Sequence, residues 1–196
     1  MPKGIRPTQD KVRKALFDIL GDIEGLSFLE LFAGSGAVGF EAISRGIGGL
    51  TLVEQKRECL LAIKDNIESL ALDEGICRLY PIDAQRAIVA MHKEKRKFDI
   101  VFFDPPYYKD LSPRHCTLGK IAGGSGSREK AVESLSKKTL QMLGAYDILA
   151  PNGFIVIQHF KKEELPQDNA GFSLIKEASY GDTILSFYRK VNPKSQ

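Results

Sequence analysis

Apolar residues recur along this chain as short continuous runs that alternate with stripes at helical spacing. The runs predict buried strands, because a run of four to eight apolar residues between turn signals suits a strand enclosed on both faces. They cover residues 27–33, 50–54, 76–82, 98–103 and 154–159. The stripes predict helices, since they place apolar residues on one helical face. They cover residues 9–20, 40–45, 56–72, 85–93 and 129–149.

Two further strands are predicted near the end of the chain, at residues 173–178 and 183–188, around the turn signal Tyr180-Gly181-Asp182. Strands that alternate with helices favour a mostly parallel sheet, and the last two strands favour an antiparallel hairpin. No internal repeat is present. We therefore expect one α/β domain over residues 1–196, with a short basic arm at 1–7 and a flexible loop at 108–128.

Composition narrows the class of protein. Of the 196 residues, 43% are apolar and 27% charged, as in ordinary globular proteins, and no apolar run approaches the length of a membrane helix. The three cysteines, Cys59, Cys77 and Cys116, are scattered, which favours a reducing, cytoplasmic location without disulfides. His115 beside Cys116 lacks a third ligand nearby, so no metal site is expected. The net charge of +3 is compatible with a polyanionic partner but does not establish one.

A glycine loop follows the first predicted strand. Gly34 and Gly36 stand between that strand and a helix, and the second strand ends at Glu54, 20 residues after Gly34. This pattern is also typical of dinucleotide sites, where the acid accepts ribose hydroxyls. Glu30, near the end of the first strand, adds a place for a free α-amino group, and nothing downstream resembles a hydride-transfer site. A ligand with an adenosine and an amino-acid tail, S-adenosylmethionine, therefore fits better than NAD.

The run Asp104-Pro105-Pro106-Tyr107 follows a buried strand directly. Two prolines stiffen the backbone and donate no hydrogen bonds, so carbonyls and the Asp104 carboxylate remain as acceptors. A planar group with an NH2 could bond these acceptors while Tyr107 stacks on its face. The simpler interpretation is a proline-rich turn. The functional interpretation gains weight because the glycine loop, Glu54, Asp83 and Asp104 would all lie at the carboxyl edge of the sheet, where ligands bind.

Several polar residues have two interpretations. Asp83 caps the helix that follows, or borders an adenine together with the amide of Ala84, or does both. Asn66 is either a surface residue or part of the site. The polar face of the first helix carries Lys11, Arg13 and Lys14 and is either solvated or contacts phosphates.

With these residues assembled, the chain resembles the bacterial 16S ribosomal RNA guanine-N2 methyltransferases of the small, single-domain kind. The matching segments are Arg6-Pro7-Thr8, Val12 to Phe17, Leu31 to Gly36, Asp104 to Tyr107 and Tyr180 to Thr183. The resemblance implies a Rossmann-like class I methyltransferase fold, S-adenosylmethionine as donor and a guanine in a small-subunit hairpin loop as acceptor. It also implies that residues 6–8 lie near the cofactor mouth.

Site residues are expected on these combined grounds. The catalytic set is Asp104, Pro105 and Tyr107. The cofactor-binding set is Glu30, Phe32, Ala33, Gly34, Ser35, Gly36, Glu54, Asp83, Ala84 and Asp104. The expected partner is 16S rRNA or the assembled small subunit, with no membrane and a monomeric chain. The sequence departs from the family at three places. The loop at 108–128 is longer, only five residues precede Arg6, and Gln158 stands where an acid is common.

Other functions fit part of the pattern. An N6-adenine methyltransferase acting on DNA or RNA would use the same acceptor pair, whereas a protein-glutamine methyltransferase usually carries Asn at position 104. An RNA-binding assembly factor without turnover is a further alternative. The loop at 108–128 holds four basic residues and one acid, and it either closes over RNA or has no role. The basic residues are Lys109, Arg114, Lys120 and Arg128.

Overall fold

The computed structural model describes residues 10–73, 75–106 and 134–191. The helices in these ranges are α1 Asp10–Leu20, α2 Ala37–Ser44, α3 Arg57–Ser69, α4 Ala84–Lys93 and α5 Leu135–Ala145. The strands are β1 Ser27–Leu31, β2 Gly49–Val53, β3 Cys77–Tyr80, β4 Phe98–Phe103, β5 Leu149–Phe160, β6 Asp168–Asn169, β7 Phe172–Tyr180 and β8 Thr183–Lys190.

The eight strands of the described ranges form one sheet, in the order β3-β2-β1-β4-β5-β8-β7-β6. Strands β1 to β5 are mutually parallel, while β8, β7 and β6 each run antiparallel to the strand before them in this order. The chain moves outward from β1 to β3 and then returns to β4 on the other side of β1. The predicted mostly parallel sheet with an antiparallel C-terminal end is confirmed.

Helices cover both faces of the sheet, and side-chain alternation along each strand assigns its residues to one layer or the other. On one face, Val12 and Phe17 of α1 pack with Phe28, Phe102 and residues of α2 and α3. On the other face, residues of α4 and α5 form a second layer. We name these the α1 face and the α5 face. Because both faces are covered, the central strands β1, β2 and β4 consist mainly of apolar residues.

One charged residue, Asp99, joins the amino ends of two central strands. Asp99 Oδ2 accepts hydrogen bonds from the Ser27 amide, at 2.9 Å, and from the Ser27 hydroxyl, at 2.6 Å. These bonds fix β1 beside β4 in the register Glu30 opposite Phe102. The carboxyl ends of both strands consequently stop at the same level.

Some element boundaries differ from the prediction. Residues 151–153, which lie between the predicted helix and the predicted strand, belong to β5, which begins at Leu149. The pairing of β5 with β4 shifts register between Phe98 and Ile100. The extra residues are accommodated as an irregularity in the ladder rather than as a break. Strand β3 ends at Tyr80, before Pro81, and β6 was not predicted. Helix α5 spans 135–145 rather than 129–149, although 129–133 lie outside the described residues.

Within the described part of the chain, none of the helices has the length and hydrophobicity needed to span a membrane.

Candidate functional site

The loop between β1 and α2 turns back sharply at the carboxyl edge of the sheet. Phe32, Gly34 and Gly36 all have positive φ, at 56°, 57° and 77°. The φ of Gly36 lies in the left-handed region, which favours glycine, and a Cβ there would lie 2.6 Å from the ring of Phe40 and displace it. The Ala33 amide donates to the Val53 carbonyl at 3.0 Å, which ties the start of the loop to the end of β2.

Glu54 follows β2 and holds this loop from the side. Its Oε2 accepts a hydrogen bond from the Gly34 amide at 2.9 Å. Its Oε1 accepts from the amides of Gln55 and Lys56, at 2.8 and 2.9 Å. A carboxylate has about four acceptor positions, so these three bonds leave about one position, on Oε2. Glu54 is thus fixed in place and retains limited capacity for a ligand hydroxyl.

Glu30 lies on the α1 face of β1, with 3% of its surface exposed. Its Oε2 accepts a hydrogen bond from the Gly39 amide, in the first turn of α2, at 2.8 Å. Burial raises the pKa of this carboxyl to about 8; the charges of Asp104 and Glu54 add to the shift, and the amide of Gly39 opposes it. No basic side chain of the described ranges pairs with Glu30 within 4 Å.

Asp104 follows β4 and is held by the neighbouring strand. Gln158 of β5 donates a hydrogen bond from its Nε2 to Asp104 Oδ2 at 2.6 Å. Gln158 is 6% exposed, and its carbonyl oxygen has no hydrogen-bond partner. Pro105 is buried and Pro106 partly buried, so the backbone leaves the strand in a fixed direction. Sequence reasoning noted Gln158 only as a departure from the family; the structure shows that it positions Asp104.

Asp83 caps α4. Its Oδ1 accepts from the Arg86 amide at 3.0 Å, and its Oδ2 lies 3.3 Å from Arg86 Nε. The capping interpretation is therefore confirmed, and the adenine contact of Asp83 and Ala84 stays a prediction. Asn66 of α3 donates to the Ser35 carbonyl at 3.1 Å, so it supports the glycine loop.

Some predictions fall outside the described residues. They are the stacking role of Tyr107, the position of residues 6–8 near the cofactor mouth, the basic arm at 1–7 and the loop at 108–128. The described ranges contain no group of three His, Cys, Asp or Glu side chains arranged to hold a metal ion.

Three carboxyl groups therefore converge at one edge of the sheet. Glu30, Glu54 and Asp104 come from the ends of β1, β2 and β4, and the pKa of Glu30 responds to the other two. Negative charges that repel one another favour a ligand that brings positive charge. An ammonium and a sulfonium group, together with ribose hydroxyls, match this set of acceptors.

Comparison with known proteins agrees with this description. The protein-family profile described as "Conserved hypothetical protein 95" matches residues 1–121 and 131–189. The chain belongs to this family.

Two curated relatives carry names that indicate an activity. A Bacillus subtilis (strain 168) protein, "Putative rRNA methyltransferase YlbH", is 31% identical over 94% of this chain and 88% of its own length. "Ribosomal RNA small subunit methyltransferase D" of Escherichia coli (strain K12) is 28% identical over 95% of this chain and 80% of its own length.

A solved structure shares the fold. "Putative methyltransferase yhhF from Escherichia coli" superposes with a TM-score of 0.72 at 26% identity, over 97% of this chain and 90% of that chain. The predicted Rossmann-like class I methyltransferase fold is confirmed.

The buried carboxyl of Glu30 makes stability depend on pH in this family member. With its pKa near 8 in the folded chain against 4.5 for the free group, the folded state holds one extra proton between these values. Stability should therefore fall as pH rises through that interval, by at most about 1.4 kcal/mol per pH unit from this group. Glu30→Gln keeps an acceptor for Gly39 and should lack this dependence. Urea unfolding from pH 5 to pH 8.5 measures the free energy of unfolding of both proteins. A difference between wild type and variant that does not change with pH would contradict the raised pKa of Glu30.

Proposed function

We propose that this protein transfers a methyl group from S-adenosylmethionine to the exocyclic N2 amine of a guanine in 16S ribosomal RNA. The observation that carries the proposal is the position of Asp104. It is fixed by Gln158 at 2.6 Å, at the carboxyl edge shared with the glycine loop, Glu30 and Glu54. The names of the curated relatives support a ribosomal RNA substrate, and the resemblance supplies guanine as the base.

The residues at the edge suit the donor. Glu30 would hold the α-amino group, since it is a buried carboxyl whose charged form lacks a cation. Glu54 would accept one ribose hydroxyl at Oε2, because its other acceptor positions are occupied by amides. The loop from Phe32 to Gly36 would approach the methionine portion with its backbone, and Asp83 with Ala84 would border the adenine.

Asp104 and Pro105 would act on the amine. The lone pair of a guanine N2 is delocalised into the ring, so the amine is a poor nucleophile. Hydrogen bonds from its two N–H groups to the Asp104 carboxylate and the Pro105 carbonyl would favour a more tetrahedral nitrogen with its lone pair aimed at the methyl. The donor supplies an electrophilic methyl group on a sulfonium. Its sulfur leaves as a neutral thioether, so this departure needs no proton. The methylated nitrogen loses one of its two protons to water, and Asp104 orients the amine and stabilises the positive charge that develops on it.

Gln158 contributes a neutral donor next to Asp104. A hydrogen bond from an amide holds the carboxylate in one orientation without competing for its proton. An acid at position 158 would place a fourth carboxyl at this edge and share a proton with Asp104, as close carboxyl pairs do. The amide therefore holds Asp104 as an acceptor without adding another ionisable group beside it.

The direct test is to identify the methylated base. Wild-type protein with tritiated S-adenosylmethionine should label small-subunit RNA, given either as naked RNA or as assembled subunits, and nuclease digestion should release N2-methylguanosine. Label in N6-methyladenosine would assign the adenine alternative. No label in either substrate, with intact cofactor binding, would support a non-catalytic assembly factor.

Cofactor binding should release a proton. Near pH 7 Glu30 is protonated in the free protein, and pairing with the ligand's ammonium requires its ionised form. Calorimetry with S-adenosylhomocysteine in two buffers of different ionisation enthalpy should show release approaching one proton. Glu30→Gln should bind more weakly and release almost none. Equal proton release by both proteins would refute the pairing.

Substitution of Asp104 should separate chemistry from binding. Asp104→Ala should leave S-adenosylhomocysteine affinity within a few-fold and lower methyl transfer by roughly 10²-fold or more, as loss of a positioning group does. Gln158→Leu removes only the donor to Asp104, so its loss should be smaller, on the order of tenfold. Single-turnover kinetics with saturating RNA measure both, and near-normal turnover of Asp104→Ala would make Asp104 a turn residue only.

A further inference from the structure

A groove runs between α1 and β7 on the α1 face, outside the cluster of acids. Its volume is about 510 Å³, comparable to the smaller pockets that hold ligands in proteins. It is lined by Lys11, Lys14, Asp18 and Ile19 of α1 and by Lys176 and Tyr180 of β7. We name it the lysine groove.

The lysine groove has uncompensated positive charge. It contains three lysines and one acid, a balance of +2, and all four charged residues are exposed. None of these lysines forms an ion pair within 4 Å in the described ranges. Arg13 on the same helix differs, because it pairs with Asp10 at 2.9 Å and Glu41 at 4.0 Å. On α1, the basic residue outside the groove, Arg13, is therefore ion-paired, whereas Lys11 and Lys14 inside it form no ion pair with the described residues.

Strand register places the groove beside the site. Gln158 of β5 lies opposite Leu185 of β8, and Leu185 lies opposite Ala178 of β7. Tyr180 is two residues beyond Ala178, toward the carboxyl edge, and packs partly against the core of the α1 face. Two strand spacings separate β5 from β7, about 10 Å. The groove is therefore a lateral extension of the surface that presents Asp104 and Gln158.

We propose that the lysine groove binds the RNA strand that flanks the methylated base. Lys11, Lys14 and Lys176 contact its phosphates, and the Tyr180 ring stacks on a flanking base. The inference rests on the proposed function, because the occupant is the strand whose base reaches Asp104. A polynucleotide is favoured over an acidic protein surface for two reasons. The groove adjoins the edge at which the base would bind. It also combines basic side chains with an aromatic ring, which are the two features that bind single strands.

The decisive experiment compares two double variants of the full chain. Lys14→Glu with Lys176→Glu reverses charge in the groove. Lys93→Glu with Lys138→Glu makes the same change of charge on α4 and α5, at exposed lysines over the opposite face. Michaelis constants for naked small-subunit RNA and for assembled subunits are measured with each protein across a salt series, and S-adenosylhomocysteine binding is measured alongside.

The groove variant should raise the Michaelis constant for RNA by tenfold or more, with kcat within about twofold and unchanged cofactor affinity. For this variant, the slope of log KM against log salt concentration should be shallower by about 1.4, because two phosphate contacts to a single strand are lost. The control variant should stay within twofold of wild type. Tyr180→Ala should also raise KM, and Tyr180→Phe should restore it, since stacking needs only the ring.

Identical behaviour of the groove and control variants would overturn the proposal. A defect limited to assembled subunits, with normal methylation of naked RNA, would also overturn it and assign the groove to a ribosomal protein. An absence of RNA methylation by the wild-type chain would instead be a failure of the proposed function. Direct RNA binding by the two variants would then test the groove: weaker binding by the groove variant alone would support the proposal, and equal binding would overturn it.

Discussion

The hydrogen bond from the Gly39 amide to Glu30 is the interaction on which the geometry of the site depends. The first amides of a helix have no partner inside the helix, and the N-cap residue of α2, Gly36, has no side chain to supply one. Glu30 supplies it from the middle of the sheet, since β1 lies between β2 and β4. A buried carboxyl in turn needs a donor. Strand, loop and helix are therefore fixed together at one point.

This interaction requires a glycine at its donor. A Cβ on Gly39 would lie 2.8 Å from Glu30 Oε2 and within 2.9 Å of the side chains of Leu50 and Leu52. The helix can approach the sheet this closely only without a side chain there. Glu54 and Asn66 hold the loop from two other elements, so its backbone is positioned by β1, β2 and α3 together. A loop fixed from three sides can bring its backbone close to a ligand without first having to be ordered.

Charge is distributed unequally around the sheet edge. The acids Glu30, Glu54 and Asp104 gather over β1, β2 and β4, and a neutral amide, Gln158, occupies the next strand. Lysines that form no ion pair with any residue of the described ranges follow two strands further, beside β7. A cationic donor and an anionic polymer would thus each meet charge of the opposite sign. The amide at position 158 lies at the boundary, where another acid would repel the polymer.

The sequence by itself determined the alternation of helices and strands, the α/β fold class and the edge of the sheet at which the predicted site residues gather. These features follow from local physics: apolar runs, glycines at positive φ, and prolines that end a strand. Glu30, Gly34, Glu54 and Asp104 could be selected because parallel strands bring their carboxyl ends to one edge. Strand boundaries were less certain, since the sheet absorbs residues 151–153 in β5 although they are typical of a turn.

Tertiary structure alone decided which partner each polar group has. The pairing of Gln158 with Asp104, 54 residues apart, depends on the register of β4 with β5. The support of Ser35 by Asn66 and the raised pKa of Glu30 arise from packing between distant segments. The lysine groove exists only because β7 lies two strands from β5 and beside α1. Local sequence patterns carry no information on such pairings, which are set by strand order and burial.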